Sequence, residues 1–487
     1  MGALLRTGKL LGWLCLLAIA GLAGLLLLFP SSLGVSIPWG QIIGAELDRE
    51  ATRQRLRLAP GFQYSIYADQ LPGARLLRLA PNGDLLVSQP RAGRITLLLA
   101  DRNGDGQADG SRILIEGLTR PHGLDFYQDW LYIAESDAVG RVRFDTATGN
   151  TTGAYERLLT GLGDKGNHWT KTLRLGPDNW FYLTSGSTCN VCIEEDPQRA
   201  TMLRFRPDGS ELSIYASGLR NAVGFDWAPW NGHLYATDNG RDFLGDDFPP
   251  CELNRVEQGL FYGWPYANGD NIPDPDYGAG NADKIATAIA PRHGFRAHTA
   301  PLGITFLADP TLPSAYRRSA LVALHGSWNR TEKDGYEVVA LHWAEDGRIS
   351  EQQFFWGFEE DGDVIGRPVD IAGDGAGSIF VSDDYVGAIY RISAGSAAAP
   401  AATSNQTRGT LAEEHFTPAQ ISAGRQLYID QDCQSCHREL PLVNLQARYD
   451  SGGLARFFDA PTPPMPRVSL SEPQKLALAA YLLAGPE

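Results

Sequence analysis

Five consecutive residues, Cys433-Gln434-Ser435-Cys436-His437, carry the most specific chemistry in the chain. Two thiols separated by two residues and followed at once by an imidazole have the spacing of covalent c-type haem attachment. Cys433 and Cys436 would bond the porphyrin edge, and His437 would ligate the iron. A thioether as sixth ligand raises the potential of such a haem toward electron-carrier values. Of the three methionines, Met1, Met202 and Met465, the last stands in Pro463-Pro464-Met465-Pro466, just ahead of a helical-looking stretch over residues 470–483. His437 and Met465 are therefore the expected axial ligands. A redox-active dithiol, or a zinc site recruiting His415, leaves Met465 and the closing helix without a role.

A second cluster lies in residues 101–109, where Asp101, Asn103 and Asp105 alternate and Gly106 holds the sixth position. This is the first half of an EF-hand-type loop, but the twelfth position, where a bidentate Glu belongs, is Arg112. Asp109 would have to close a shorter loop. The reading stays divided between a structural calcium and a solvated turn.

Several elements must position these groups. Residues 10–29 form an uninterrupted apolar run behind Arg6 and Lys9, long enough to cross a bilayer. Leading basic residues hold the N-terminus in the cytoplasm. No small-x-small cleavage site follows, so residues 1–30 read as an uncleaved anchor. The rest is then expected on the periplasmic side of a bacterial inner membrane. Cys15 falls inside that run as an ordinary apolar residue. Net charge −15 argues against a nucleic-acid partner. Of the remaining cysteines, Cys189, Cys192 and Cys251, any two are candidates for a disulfide in an oxidising compartment.

After a linker over residues 31–57, residues 58–392 repeat a turn rich in Pro, Asp, Asn and Gly that leads into a short apolar strand. The copies begin near Ala80, Gln128, Gly176, Trp230, Ala320 and Asp374. Six copies at a spacing of about fifty residues suit an all-β six-bladed propeller, one sheet per copy. The strands are read as hydrophobic and alternating. Between Cys251 and Ala300 the interval is too long for a blade connection, and residues 266–281 read as a large loop on one face, a usual place for a site. An Ala/Ser/Pro linker over residues 393–408 separates this domain from residues 409–487. No G-x-G-x-x-G opens a helix, which argues against a nucleotide cofactor bound Rossmann-style.

The C-terminal pattern, with attachment motif, proline-stiffened Met loop and closing helix, resembles a small all-α class I cytochrome c domain. In the propeller region, Gly166-Asn167-His168-Trp169-Thr170-Lys171-Thr172-Leu173-Arg174-Leu175-Gly176-Pro177-Asp178 resembles the active-site blade of the soluble quinoprotein sugar dehydrogenases. So do Gly218-Leu219-Arg220-Asn221-Ala222-Val223-Gly224-Phe225 and Glu252-Leu253-Asn254 leading to Tyr262-Gly263-Trp264-Pro265. Asp238-Asn239-Gly240-Arg241-Asp242 and His325-Gly326-Ser327-Trp328-Asn329-Arg330 are similar to the sorbosone/pyranose branch.

That resemblance implies pyrroloquinoline quinone (PQQ) on the propeller axis, polarised by calcium and an arginine. His168 matches the base that takes the proton of the sugar's anomeric hydroxyl, a task suited to imidazole. Arg220 matches the group that steadies the oxyanion developing on the quinone, and Asn221 a further cofactor contact. Main-chain carbonyls of Gly240 and Arg241 match the calcium ligands. Three positions depart from the soluble glucose enzymes: Arg241 stands for a proline, His325 for a lysine, and Arg367 is the first of two arginines with no second. Arg330 or Lys333 would supply the missing cation. His122 and His233 are expected to cap or pack blade turns, whereas His293 and His298 lie near the expected mouth.

The resulting expectation is a membrane-anchored quinohaemoprotein oxidising a sugar or sugar-derived aldehyde. Electrons would pass from PQQ to haem c and on to the quinone pool or another cytochrome. A calcium-dependent propeller lactonase shares the architecture but gives the haem no purpose. A non-catalytic docking or sensor propeller is the remaining alternative.

Overall fold

The computed structural model describes residues 44–394, 416–431, 433, 445, 451–458 and 470–484. The chain divides into two compact units, residues 1–398 and 399–487. Within the first unit, six antiparallel sheets of four or five strands follow one another in chain order. Each is a propeller blade. The six turn-and-strand copies of the sequence are the second strands of these blades: Leu85–Gln89, Trp130–Ala134, Phe181–Ser185, Leu234–Asp238, Ser319–Leu324 and Ser378–Asp383.

Alternation does not describe these strands. Five are buried at every residue and the sixth at all but its first. A strand packed on both faces carries a continuous apolar run. Exposed positions gather on outer strands such as Asn150–Thr160. The ring is closed by strand Phe62–Ala68, which pairs with Ala388–Ala394 as the outer strand of blade 6, with Tyr64 opposite Ile392. Part of the stretch read as a linker is ordered: Asp48 caps helix Arg49–Arg55, and Arg57–Leu58 adds a fifth strand to blade 5.

Alternate blades are stitched to the next by an aspartate on the inner strand. Asp125 of blade 2 accepts from Leu175 N at 2.7 Å, Asp226 of blade 4 from Phe306 N at 2.9 Å, and Asp370 of blade 6 from Leu77 N at 2.9 Å. Arg78 pairs with Asp125, and Asp226, Asp370 and Asp125 together favour the charged form of Arg174. Removing a buried acceptor orphans its donor, which costs roughly 1–3 kcal/mol. Asp125→Ala also deprives Arg78 of its partner. It is therefore expected to lower unfolding free energy by about 2 kcal/mol, read as a lower denaturant midpoint at unchanged slope.

Among the described residues, no helix is long and apolar enough to cross a membrane. The apolar run over residues 10–29 lies outside them. In the second unit, helix Pro418–Asp430 starts at a capping box in which Thr417 Oγ1 accepts from Gln420 N and Gln420 Oε1 accepts from Thr417 N. It packs on helix Glu472–Leu483, where Tyr428 meets Tyr481 at 5.5 Å between ring centroids. At the crossing, a Cβ on Gly424 would stand 2.0 Å from Ala477 O, so only glycine permits this approach. Cys433 is described, whereas Cys436, His437 and Met465 lie outside the described residues.

Candidate active site

Inner strands all start at one end of the axis, where the antiparallel second strands end. The residues flanking those junctions therefore come together from blades far apart in sequence. His168, Arg220, Asn221, His325 and Arg367 all lie at this end.

His168 Nδ1 is 3.1 Å from Ser187 O and 2.9 Å from Ser187 Oγ. A carbonyl only accepts, so Nδ1 carries the proton and Nε2 keeps its lone pair. Burial, reinforced by the Arg220 guanidinium, depresses the imidazole pKa to about 3. The ring is thus neutral across the physiological range, with the Nε2 lone pair available to accept a proton. Arg220, itself buried, donates through Nε to Asn190 O at 2.9 Å, through Nη1 to Gly240 O at 2.8 Å and through Nη2 to Asn190 Oδ1 at 2.8 Å. It also pairs with Asp242 at 3.1 Å. Asn221 Oδ1 is buried and has no hydrogen-bond partner. A Cβ added to Gly186 would come 2.6 Å from His168 Cβ and 2.8 Å from Asn221 Oδ1, so only glycine lets these two residues pack this closely on the strand end.

Across the axis, Arg367 Nη2 donates to His325 Nδ1 at 2.7 Å, and His325 Nε2–H donates to Asp384 Oδ1 at 2.9 Å. A guanidinium has no acceptor, which fixes this tautomer. Burial and Arg367 depress His325 to about 4, so it supplies no positive charge at neutral pH. Asp384 also accepts from Arg75 Nη1 at 2.7 Å, and Arg75 Nε approaches His122 Nε2 at 3.4 Å. His122 is therefore part of this ring and not of a blade turn. His233 does sit in the turn of blade 4, beside Asn231. Arg75 and Asp384 were missed by the sequence reading. Their pairing spans the closure of the ring, and no local sequence signal announces it.

Other expected site residues are engaged elsewhere. Arg330 donates to Asp246 O and pairs with Asp247, and Lys333 donates to Gly362 O. His298 lies near the mouth, its Nε2 2.8 Å from Gly245 O and its Nδ1 4.0 Å from Asp242. His293 instead joins Glu351 on the outer strand of blade 5. The Arg241 side chain binds Asp274 and Asp276 of the long insertion. Cys189 and Cys192 form a disulfide, and Cys251 is a buried free thiol.

Two places bear on metal binding. Asp238 and Glu252 border a cavity of about 20 Å³ together with Gly240, Trp264 and Asn268. Burial raises both carboxyls, and Asp238 raises Glu252 further. The buried Asp238 and partly buried Glu252, with amide and main-chain oxygens, are a donor set for a hard cation, close to the carbonyls expected to hold calcium. In residues 101–109 the side chains satisfy their own loop. Asp101 accepts from Gly104 N and Gly106 N, Asn103 from Asp105 N, Asp105 from Gln107 N and Asp109 from Arg102 N. Arg391 completes Asp101 at 2.6 Å. These carboxylates do not converge on one point. Among the described residues, three metal-ligating groups meet only at Cys189, Cys192 and Glu194, where the sulfurs are already joined.

A planar tricarboxylate quinone needs cations and an acceptor-lined edge. Arg75, Arg220 and Arg367 supply the cations, and the orphaned Asn221 Oδ1 supplies an acceptor. The residues fit the group.

Comparison with known proteins agrees with the architecture. An uncharacterized protein of Borreliella burgdorferi is 32% identical over 290 residues, 56% of this chain and 76% of its own. A pyrroloquinoline quinone-dependent pyranose dehydrogenase of Coprinopsis cinerea is 27% identical over 342 residues, which cover 59% of this chain and 45% of that protein. The chain thus spans less than half of that relative. The solved holo form of the Coprinopsis cinerea pyranose dehydrogenase PQQ domain superposes with a TM-score of 0.60 at 23% identity, covering 70% of this chain and 97% of that one. The TrAA12-like family model matches residues 56–247 and 269–395, more than half of the sequence, and the chain belongs to that family.

Proposed function

We propose that the chain is a dehydrogenase that oxidises a sugar or sugar-derived aldehyde with PQQ and passes the electrons to its own c-type haem. The observation that carries this reading is the neutral His168, with Nε2 unprotonated, set beside Arg220 and across the axis from the Arg367–His325–Asp384–Arg75 array. The relatives' recorded dependence on pyrroloquinoline quinone supports it. When bound, the quinone supplies a two-electron hydride acceptor. His168 Nε2 takes the proton from the substrate hydroxyl, and the Ser187 carbonyl steadies the imidazolium that results. Arg220 offers fixed positive charge where negative charge develops. Arg75 and Arg367 provide the cations for carboxylates, while His325 is an orienting hydrogen-bond partner. Calcium belongs to the same reading, held near Gly240 with Asp238 and Glu252 close by.

Haem c on Cys433 and Cys436, with His437 and Met465 as axial ligands, gives the electrons an exit to a quinone pool or another cytochrome. An N-terminal anchor over residues 10–29 would hold the enzyme on the periplasmic face of the inner membrane. The deciding experiment follows the reduced haem band of the purified protein as aldoses and sorbosone are added. Haem reduction that requires calcium, quinone and sugar together is the expected result. An intact haem spectrum with no quinone binding and no reduction overturns the proposal.

A further inference from the structure

The segment 186–200 connects the second and third strands of blade 3 without helix or strand of its own. No ladder fixes its backbone, yet both central groups of the site lean on it. Ser187 O and Oγ receive His168 Nδ1, and Ser187 Oγ in turn donates to Cys189 O at 2.7 Å. Asn190 takes two of the Arg220 donors, Nε on its carbonyl and Nη2 on Oδ1. Its side chain also ties down the next loop, since Oδ1 accepts from Asp242 N at 2.8 Å and Nδ2 donates to Asp242 O at 3.1 Å. Asp242 is the carboxylate paired with Arg220. Asn190 therefore sets both the orientation of the guanidinium and the place of its counter-ion. It stands inside the Cys189–Cys192 bridge, which is half-buried beside the exposed Ile193 and so within reach of a small reductant.

We infer that the Cys189–Cys192 disulfide is a redox-sensitive latch that holds Asn190 as the positioning residue of Arg220 and, through Cys189 O and Ser187, holds His168 in its Nδ1-protonated form. This rests on the role given above to Arg220 and His168. Opening the latch needs a dithiol reductant. One of its thiolates attacks a bridge sulfur to give a mixed disulfide, and its second thiol resolves it. Cys189 and Cys192 gain two electrons and two protons, and the reductant leaves as a disulfide. Once open, the loop releases Asn190, and Arg220 loses its fixed aim. Exchange with a small oxidised disulfide, which leaves as two thiols carrying the two electrons and two protons, restores both.

The test uses the full-length protein with ¹⁵N-labelled histidine. Thiols are counted before and after dithiol treatment, the fold is checked by circular dichroism, and two signals are compared: the His168 ring nitrogen shifts without quinone, and the dissociation constant for PQQ. Hydrogen bonds to a charged group are worth enough that their loss is expected to weaken quinone binding about tenfold. The His168 nitrogens should move toward a tautomeric mixture, and reoxidation should reverse both changes. Two new thiols in a folded protein with both signals unchanged would overturn the latch. If neither form binds quinone, the His168 signal alone decides the latch, and the failure belongs to the quinone reading. If the reduced protein unfolds, Asn190→Ala with the bridge intact decides: about tenfold weaker quinone binding at unchanged melting temperature supports the positioning role, and unchanged binding overturns it.

Discussion

His168→Ala is expected to lower the rate of quinone reduction by sugar about 10²- to 10⁴-fold, the usual contribution of a positioned general base. Quinone affinity should stay nearly constant, because the cations assigned to its carboxylates are Arg75 and Arg367. The pH dependence separates this role from simple packing. Burial and Arg220 hold the His168 pKa near 3, so protonation removes the base only as pH falls toward that value. The wild-type rate should therefore show no acid limb from His168 between about pH 5 and 8, well above that pKa. Replacing Arg220 with methionine removes one of the three causes of depression, leaving burial and Arg199, so the imidazole pKa is expected to rise while staying below its ordinary value. Any acid limb from His168 should then move to higher pH than in the wild type. A stopped-flow pH profile of both proteins checks this, and an alanine variant with undiminished quinone reduction would remove His168 from the chemistry.

The sequence announces those parts of the propeller whose environment is uniform along the chain. Each second strand is covered on both faces, so its centre is apolar with buried polar residues toward its ends, and its preceding turn needs Pro, Asp, Asn or Gly. The six copies were visible for that reason. His168, Arg220 and Asn221 were visible because they sit inside contiguous motifs. Partnerships formed by closure of the ring leave no local trace. Arg75 and Asp384 meet across 309 positions, and nothing near either residue names the other. Asp384 accepts from His325 Nε2–H and Arg367 donates to Nδ1 of the same ring, so His325 orients a guanidinium instead of standing in for a lysine's charge. The same holds for Asn190. An asparagine between two cysteines reads as loop until the fold brings Arg220 and Asp242 against it. Cys251 was an equal disulfide candidate by sequence, but its place at the start of a blade 4 strand buries it apart from the pair that joined.

Replacing Cys433 and Cys436 together with alanine is expected to divide the proposed reaction into halves. Sugar oxidation removes two electrons as hydride, whereas a haem iron accepts them one at a time. A protein without covalent haem should still let sugar reduce its bound quinone once, since the residues placed in that step all belong to the propeller unit. Steady-state delivery to a cytochrome or quinone acceptor should fall to background, while a small artificial dye that reaches the propeller directly should restore turnover. Met465→Ala probes the same path without removing the haem. Loss of the thioether lowers the haem potential, because a thioether favours the reduced iron, and a lower potential slows electron entry from the site. Redox titration of the haem band, paired with sugar-driven reduction rates, measures both effects. Undiminished transfer to a macromolecular acceptor in the double cysteine variant would take the haem off the path and leave the propeller as the complete enzyme.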